Sequence, residues 1–192
     1  MINNIPTRQE AFELLQKYNQ SESLIKHGLS VEAVMRHFAE MYNEDIEKWG
    51  VIGLVHDLDY EKYPEQHCVK TKEILELEKW PEEYIRAVLS HGWQMVTDIE
   101  PVHTMEKILY ASDELTGLIT AAVLVRPSKS ILDIKVKSVK KKWNNKNFAA
   151  GANREVIENG AKMLDMEIPD LIQECITAMQ KVAEQIGLKG DI

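Results

Sequence analysis

The sequence predicts an all-α fold, a single helical bundle. Three observations point to it. Apolar residues recur at helical spacing along most of the chain, cap residues stand where those runs begin, and strand-like alternation is confined to Ile131–Val139. The chain has 192 residues, enough for one domain with a substantial core. It contains no repeat, no low-complexity tract and no linker long enough to divide it, so residues 1–192 are expected to form one mostly helical domain.

In chain order, Thr7-Arg-Gln-Glu10 reads as a capping box opening a helix with Ala11, Phe12, Leu14 and Leu15 inward. Ser21 or Ser23 caps a second helix, whose stripe is Leu24, Val31, Val34, Met35 and Phe38. A third helix runs from about Asn43 through Trp49 and Ile52 to His56. A fourth spans Glu65–Lys79 with Ile74 and Leu77 inside. Pro81 suits a first helical position, where an N–H would be orphaned anyway, and Glu82 and Glu83 suit the positive end of the dipole of a helix containing Ile85, Val88 and Leu89. Met105–Val125 is a long apolar helix. Pro169 and Asp170 open the last one, which carries Leu171, Ile172, Cys175, Met179, Val182 and Ile186 and is ended by Gly187 and Gly190. Within Ile131–Val139, Ile134 and Val136 alternate with Lys135 and Lys137, which predicts a short extended piece.

Charge is spread unevenly. Arg126–Arg154 holds nine Lys/Arg against one acid, Asp133, so this segment is +8 while the rest of a chain of net charge −8 carries −16. An acidic body argues against nucleic-acid or membrane binding, whereas the basic segment suits a small anion. The longest apolar run, Leu118–Val125, is far short of the roughly 20 residues that span a bilayer. No basic stretch followed by an apolar one marks the N-terminus as a signal peptide, and Cys68 and Cys175 form no CxxC pair. These features lead us to expect a cytoplasmic protein with reduced cysteines.

The six histidines are His27, His37, His56, His67, His91 and His103. His27, His56, His67 and His91 each fall at the apolar boundary of a different predicted helix. Asp113 lies inside the long apolar one, where a carboxylate is costly to bury unless paired or bound to metal. Helical bundles build metal sites from such inward-projecting side chains. His37 and His103 stand outside the pattern, and Met35, Trp49 and Met179 read as core.

The order His27, His56-Asp57, Asp113 resembles the HD-domain superfamily of metal-dependent phosphohydrolases. His27-Gly-Leu-Ser-Val31-Glu-Ala is similar to its first-helix motif, Gly53-Leu-Val-His-Asp-Leu-Asp59 to its apolar HD segment, and Ile108-Leu-Tyr-Ala-Ser-Asp113-Glu-Leu115 to the helix supplying its last aspartate. The resemblance covers roughly Leu24–Thr120. It implies a motif-bearing core at about 21–125 and a C-terminal helical extension at about 126–192. It also implies that His27, His56, Asp57 and Asp113 hold a metal. Members with two metals carry further histidines between the pair and the last aspartate; His67 and His91 occupy those places, so a second metal or the substrate is expected there, with Asp57 bridging. Many members have Gly two residues after the Asp of the pair, where this chain has Asp59, followed by Tyr60 and Glu61.

Mixed His/Asp ligation suits one or two ions of Mn, Fe, Co, Ni or Zn. Such an ion makes bound water a nucleophile near neutral pH. The expected reaction is hydrolysis of a small phosphomonoester, nucleotide or cyclic phosphodiester, with Asp57, Asp59 or Glu61 orienting or deprotonating the water. Lys107, Arg86, Lys140, Lys141 and Lys142 are candidate phosphate contacts, and Trp143 is a candidate stacking surface. The same ligand set also serves di-iron oxygenases, and a non-catalytic metal or nucleotide sensor is a third reading. A homodimer is compatible with the sequence.

Overall fold

The computed structural model describes residues 5–145 and 147–190. Its α-helices are α1 (Arg8–Tyr18), α2 (Glu22–Tyr42), α3 (Ile46–Leu54), α4 (Val69–Leu77), α5 (Glu82–Ser90), α6 (Thr104–Leu124), α7 (Val136–Trp143), α8 (Arg154–Met163) and α9 (Ile168–Gln180), with a 3-10 turn at Pro64–Gln66. Among the described residues there is no strand, only an isolated bridge between Trp93 and Thr97. The fold is all-α.

Two 21-residue helices, α2 and α6, organise the bundle. Each is roughly 30 Å long. Helix α2 packs against α3, α6 and α9; α6 also receives α5, α7, α8 and α9. Between them lies a core whose largest fully buried side chains include Trp49, Tyr110, Phe38 and Met35. Among the described residues no helix is long and apolar enough to cross a membrane.

The Thr7–Glu10 capping box forms as expected, with Ala11, Leu14 and Leu15 buried behind it. Ser21 occupies the N-cap of α2 without a side-chain cap bond. Its hydroxyl turns to Ser23, and the Glu61 carboxylate takes up the Gln20 and Ser21 amides. Helix α3 stops at Leu54, so His56 and Asp57 stand in the turn beyond it. Leu77 is 74% exposed rather than inside. It lies two residues, about 200° of helix, beyond buried Leu75 and faces the other way. Pro81 is the extended N-cap of α5, one residue earlier than expected.

The C-terminal third departs further. Ile131–Val139 is no strand: Ile131 is tied to Leu188 and Gln180 by hydrogen bonds, and α7 begins at Val136. Four alternating residues are too few to separate a strand from a helix start that buries Val139 and leaves the lysines wet. Helix α8, opened by the Asn153 side chain, has no counterpart in the sequence reading. Its buried face is Val156, Ile157, Gly160 and Ala161, a weak apolar signal. Helix α9 ends at Gln180, and the positive-φ glycines Gly187 and Gly190 serve the turns after it.

Candidate metal centre

The centre forms where the turn after α3 meets α2 and α6. Helix α2 carries His27. The next residue is Gly28, where a Cβ would lie 3.0 Å from the Leu54 carbonyl, so the glycine lets the end of α3 sit against α2. The chain then presents His56, fully buried, and Asp57. Helix α6 supplies Asp113. His27 Nε2 lies 2.9 Å from Asp113 Oδ1 and 3.2 Å from His56 Nε2, and His56 Nε2 is 3.2 Å from the same Asp113 oxygen. Asp57 Oδ2 closes the group at 3.7 Å from His27 and 3.5 Å from His56.

A second cluster adjoins it. His67 Nε2 and His91 Nε2 are 3.1 Å apart, and each lies 3.5 Å from Asp57 Oδ1. Asp57 therefore turns one oxygen to each cluster. His91 is the C-cap of α5, and His67 follows the 3-10 turn. Cys68, outside the ligand pattern of the sequence, joins this group with Sγ 3.7 Å from His67 Nε2 and 4.0 Å from His91 Nε2. The signal for it was its adjacency to His67.

The far nitrogens decide what the near ones can do. His56 Nδ1 donates to the Gly53 carbonyl at 2.8 Å, His91 Nδ1 to Val88 at 2.5 Å, and His67 Nδ1 to Asp59 at 2.8 Å; His27 Nδ1 faces the Thr116 hydroxyl at 3.3 Å. With Nδ1 donating, neutral rings point Nε2 lone pairs at one another in both clusters, which is repulsive unless a cation sits among them. Ligands about 2.0–2.1 Å from one ion stand roughly 2.9 Å apart at octahedral angles and roughly 3.4 Å apart at tetrahedral ones. The observed donor spacings fall close to that range. Both donor sets fit a divalent transition metal.

Without an ion, the neighbouring carboxylates favour protonated imidazoles, which relieves the same crowding. Burial raises the pKa of Asp113, but the imidazoles of His56 and His27 more than reverse this and hold it well below the usual carboxylate range; Asp57 is lowered in the same way by His56 and His91. Burial lowers His67, but the Asp59 carboxylate takes it up to about 10. Burial also opposes ionisation of Cys68, yet His91 and His67 bring the thiol down to about 7. Glu114, absent from the sequence-based site, is raised to about 7 by burial and by Asp113.

Asp59 does not face water. It is fully buried, with Oδ1 on His67 and Oδ2 accepting the Thr71 amide at 2.8 Å in the first turn of α4. The charge at a helix N-terminus is favoured, and the carboxylate fixes the ring orientation of His67. Asp59 is thus held between His67 and the start of α4, where it orients the ring and does not open to the cavity. Asp59→Asn is expected to weaken metal binding at the His67–His91 cluster by roughly 10- to 100-fold while sparing the other cluster, as read by metal titration. Equal weakening at both clusters would contradict this role.

A cavity of about 550 Å³ opens onto both clusters. Besides His27, Asp57, His67, His91 and Asp113, it is lined by Tyr60, Glu114, Met95, Gly117 and the loop residues Ala149, Gly151 and Ala152. Tyr60 stacks edge-on against His67. Several sequence-based candidates stand elsewhere. Glu61 is occupied at the start of α2. Arg86 is taken by Glu106 and the Glu100 carbonyl, beside a different cavity. Lys107, Lys140, Lys141 and Lys142 do not line the metal-facing cavity; Lys142 sits over the Phe148 ring, and the Trp143 indole donates to Glu158. These cations lie on helix faces that the bundle turns to solvent or to local partners. His37 pairs with Glu174, and His103 is the N-cap of α6.

Comparison with known proteins gives one match: the family model described as HD domain aligns with residues 24–118, a span from α2 into α6 that includes both clusters. No curated protein and no solved structure matches the chain.

Proposed function

The chain belongs to the HD-domain superfamily through residues 24–118, and from that premise we propose that it is a metal-dependent phosphohydrolase acting on a small phosphorylated substrate. The observation that carries this reading is Asp57, whose two oxygens face two separate donor clusters at the floor of one cavity. His27, His56, Asp113 and Asp57 Oδ2 would hold one ion; His67, His91 and Asp57 Oδ1 would hold another. Bound divalent ions supply Lewis acidity, which acidifies water and offsets charge on phosphoryl oxygens.

The residues around the clusters support the remaining tasks. Among the described residues no Lys or Arg lines the cavity, so in this reading the centre itself meets phosphate charge. Two divalent ions against the carboxylates of Asp57 and Asp113 leave the centre net positive, which attracts a phosphate anion. Asp57 holds the two clusters in register. Glu114, on the cavity wall with its carboxylate accepting the Asn153 amide, is the carboxylate outside both donor sets that is placed to exchange a proton with the reacting groups. The Tyr60 ring braces His67 at the rim. Both cysteines are buried free thiols, which supports a cytoplasmic setting.

The test is metal analysis of the purified protein beside a phosphatase screen with added Mn²⁺, Ni²⁺ or Co²⁺. Bound transition metal and metal-dependent turnover of an aryl phosphate are expected. Absence of any bound transition metal under every loading condition would sink the reading. A coupled di-iron centre without phosphatase turnover would replace it with oxygenase chemistry.

A further inference from the structure

Cys68 is an unusual residue in an unusual place. It is the N-cap of α4 at φ 67°, ψ −36°, a conformation that L side chains rarely adopt. Such strain persists only where the surroundings over-determine it, and it gathers at functional sites. The side chain is buried, at 1% exposure. Its sulfur sits in a recess made by Gly92, where a Cβ would approach Sγ to 2.9 Å. The backbone thus aims the thiol at the His67–His91 pair, and the residue after His91 leaves room for it.

The donor spacings define the group. His67 Nε2, His91 Nε2 and Asp57 Oδ1 are separated by 3.1 and 3.5 Å, and Sγ stands 3.7 and 4.0 Å from the two nitrogens. With metal–sulfur bonds of about 2.3 Å and metal–nitrogen bonds of about 2.0–2.1 Å, tetrahedral sulfur and nitrogen ligands lie roughly 3.6 Å apart. The other cluster offers only imidazole and carboxylate donors.

We propose that Cys68 is a fourth ligand of the second metal, completing with His67, His91 and Asp57 a closed set of two nitrogens, one oxygen and one sulfur. The inference rests on the metal-centre reading given above. The thiol proton is released to solvent when the thiolate binds. Two consequences follow from ligand chemistry. A soft donor biases this cluster toward zinc or cobalt(II) over manganese or magnesium. A filled tetrahedral set also leaves no open position, so substrate and water are left to the ion at His27, His56 and Asp113.

The probe is cobalt(II) alone, titrated into wild type and Cys68→Gly. Glycine suits the positive φ and removes only the thiol, and a thermal melt checks that the variant is folded. Wild type is expected to bind two equivalents and to show a near-ultraviolet thiolate-to-cobalt charge-transfer band. In Cys68→Gly the band should vanish, and the affinity for the second equivalent should fall at least tenfold while the first is kept. Two bound cobalt ions without the band in wild type, or an unchanged band in Cys68→Gly, would overturn the thiolate ligand and leave the metal centre standing. If wild type binds no cobalt at all, the metal-centre reading fails and this inference with it.

Discussion

Asp57→Ala should empty both metal clusters at once. The side chain is shared, one oxygen lying 3.5 Å from His56 and the other 3.5 Å from each of His67 and His91. Its loss leaves each cluster one donor short and takes away the negative charge that offsets the imidazoles. Asp113→Ala should behave differently, because Asp113 touches only His27 and His56. That variant should keep one equivalent of metal, at the His67–His91 cluster. Elemental analysis after loading and desalting reads the difference directly. Turnover of an aryl phosphate should fall in Asp57→Ala by roughly a thousandfold or more, about 4 kcal/mol of barrier. An Asp57→Ala protein that holds as much metal as Asp113→Ala would refute the bridging role. Phosphatase activity surviving in Asp57→Ala would refute the proposed mechanism even with metal present.

The largest structural effect is expected at Gly160. A Cβ there would lie 2.5 Å from Ala111 Cβ and 2.6 Å from its Cα, so the obstacle is the backbone of α6 and not a flexible side chain. Gly160→Ala must push α8 away from α6, and overpacking of this kind costs typically about 1–3 kcal/mol. For a chain of this size each kcal/mol lowers Tm by roughly 2–4 °C. Ala111 is two residues before Asp113, so metal affinity at the His27–His56 cluster should drop as well. Gly117, on the same helix, is the control. A Cβ there meets nothing within 4 Å, and replacing glycine in a helix interior by alanine should stabilise by about 0.5–1 kcal/mol. Calorimetric melts of the two variants should move in opposite directions. An undisturbed Gly160→Ala melt would mean that α8 is not held this tightly.

The different carboxylates near the HD pair show what was legible and what was not. Asp57, Asp59 and Glu61 alternate within five residues, and each was an equal candidate for acid–base work. A turn rather than a helix follows Leu54, and it sends the three in different directions: Asp57 to the metal clusters, Asp59 inward to His67 and the start of α4, Glu61 outward to α2. The HD pair marked Asp57 for the metal, but no periodicity describes a turn, so nothing in the sequence separated Asp59 from Glu61. The lysines fail for a related reason. A run of Lys140–Lys142 states a charge but not a direction, and α7 spends its inward face on Val139.

By itself the sequence determined the helical class, the two long helices and the ordered series His27, His56-Asp57, His67, His91 and Asp113, because helix periodicity and caps are local properties written along the chain. Only the tertiary structure decided the distances at which these residues meet, that Cys68 joins His67 and His91, and that Lys140, Lys141 and Lys142 stay off the cavity. Those outcomes depend on distances between elements up to 86 residues apart, set by how closely helices pack, and no local pattern encodes such a distance.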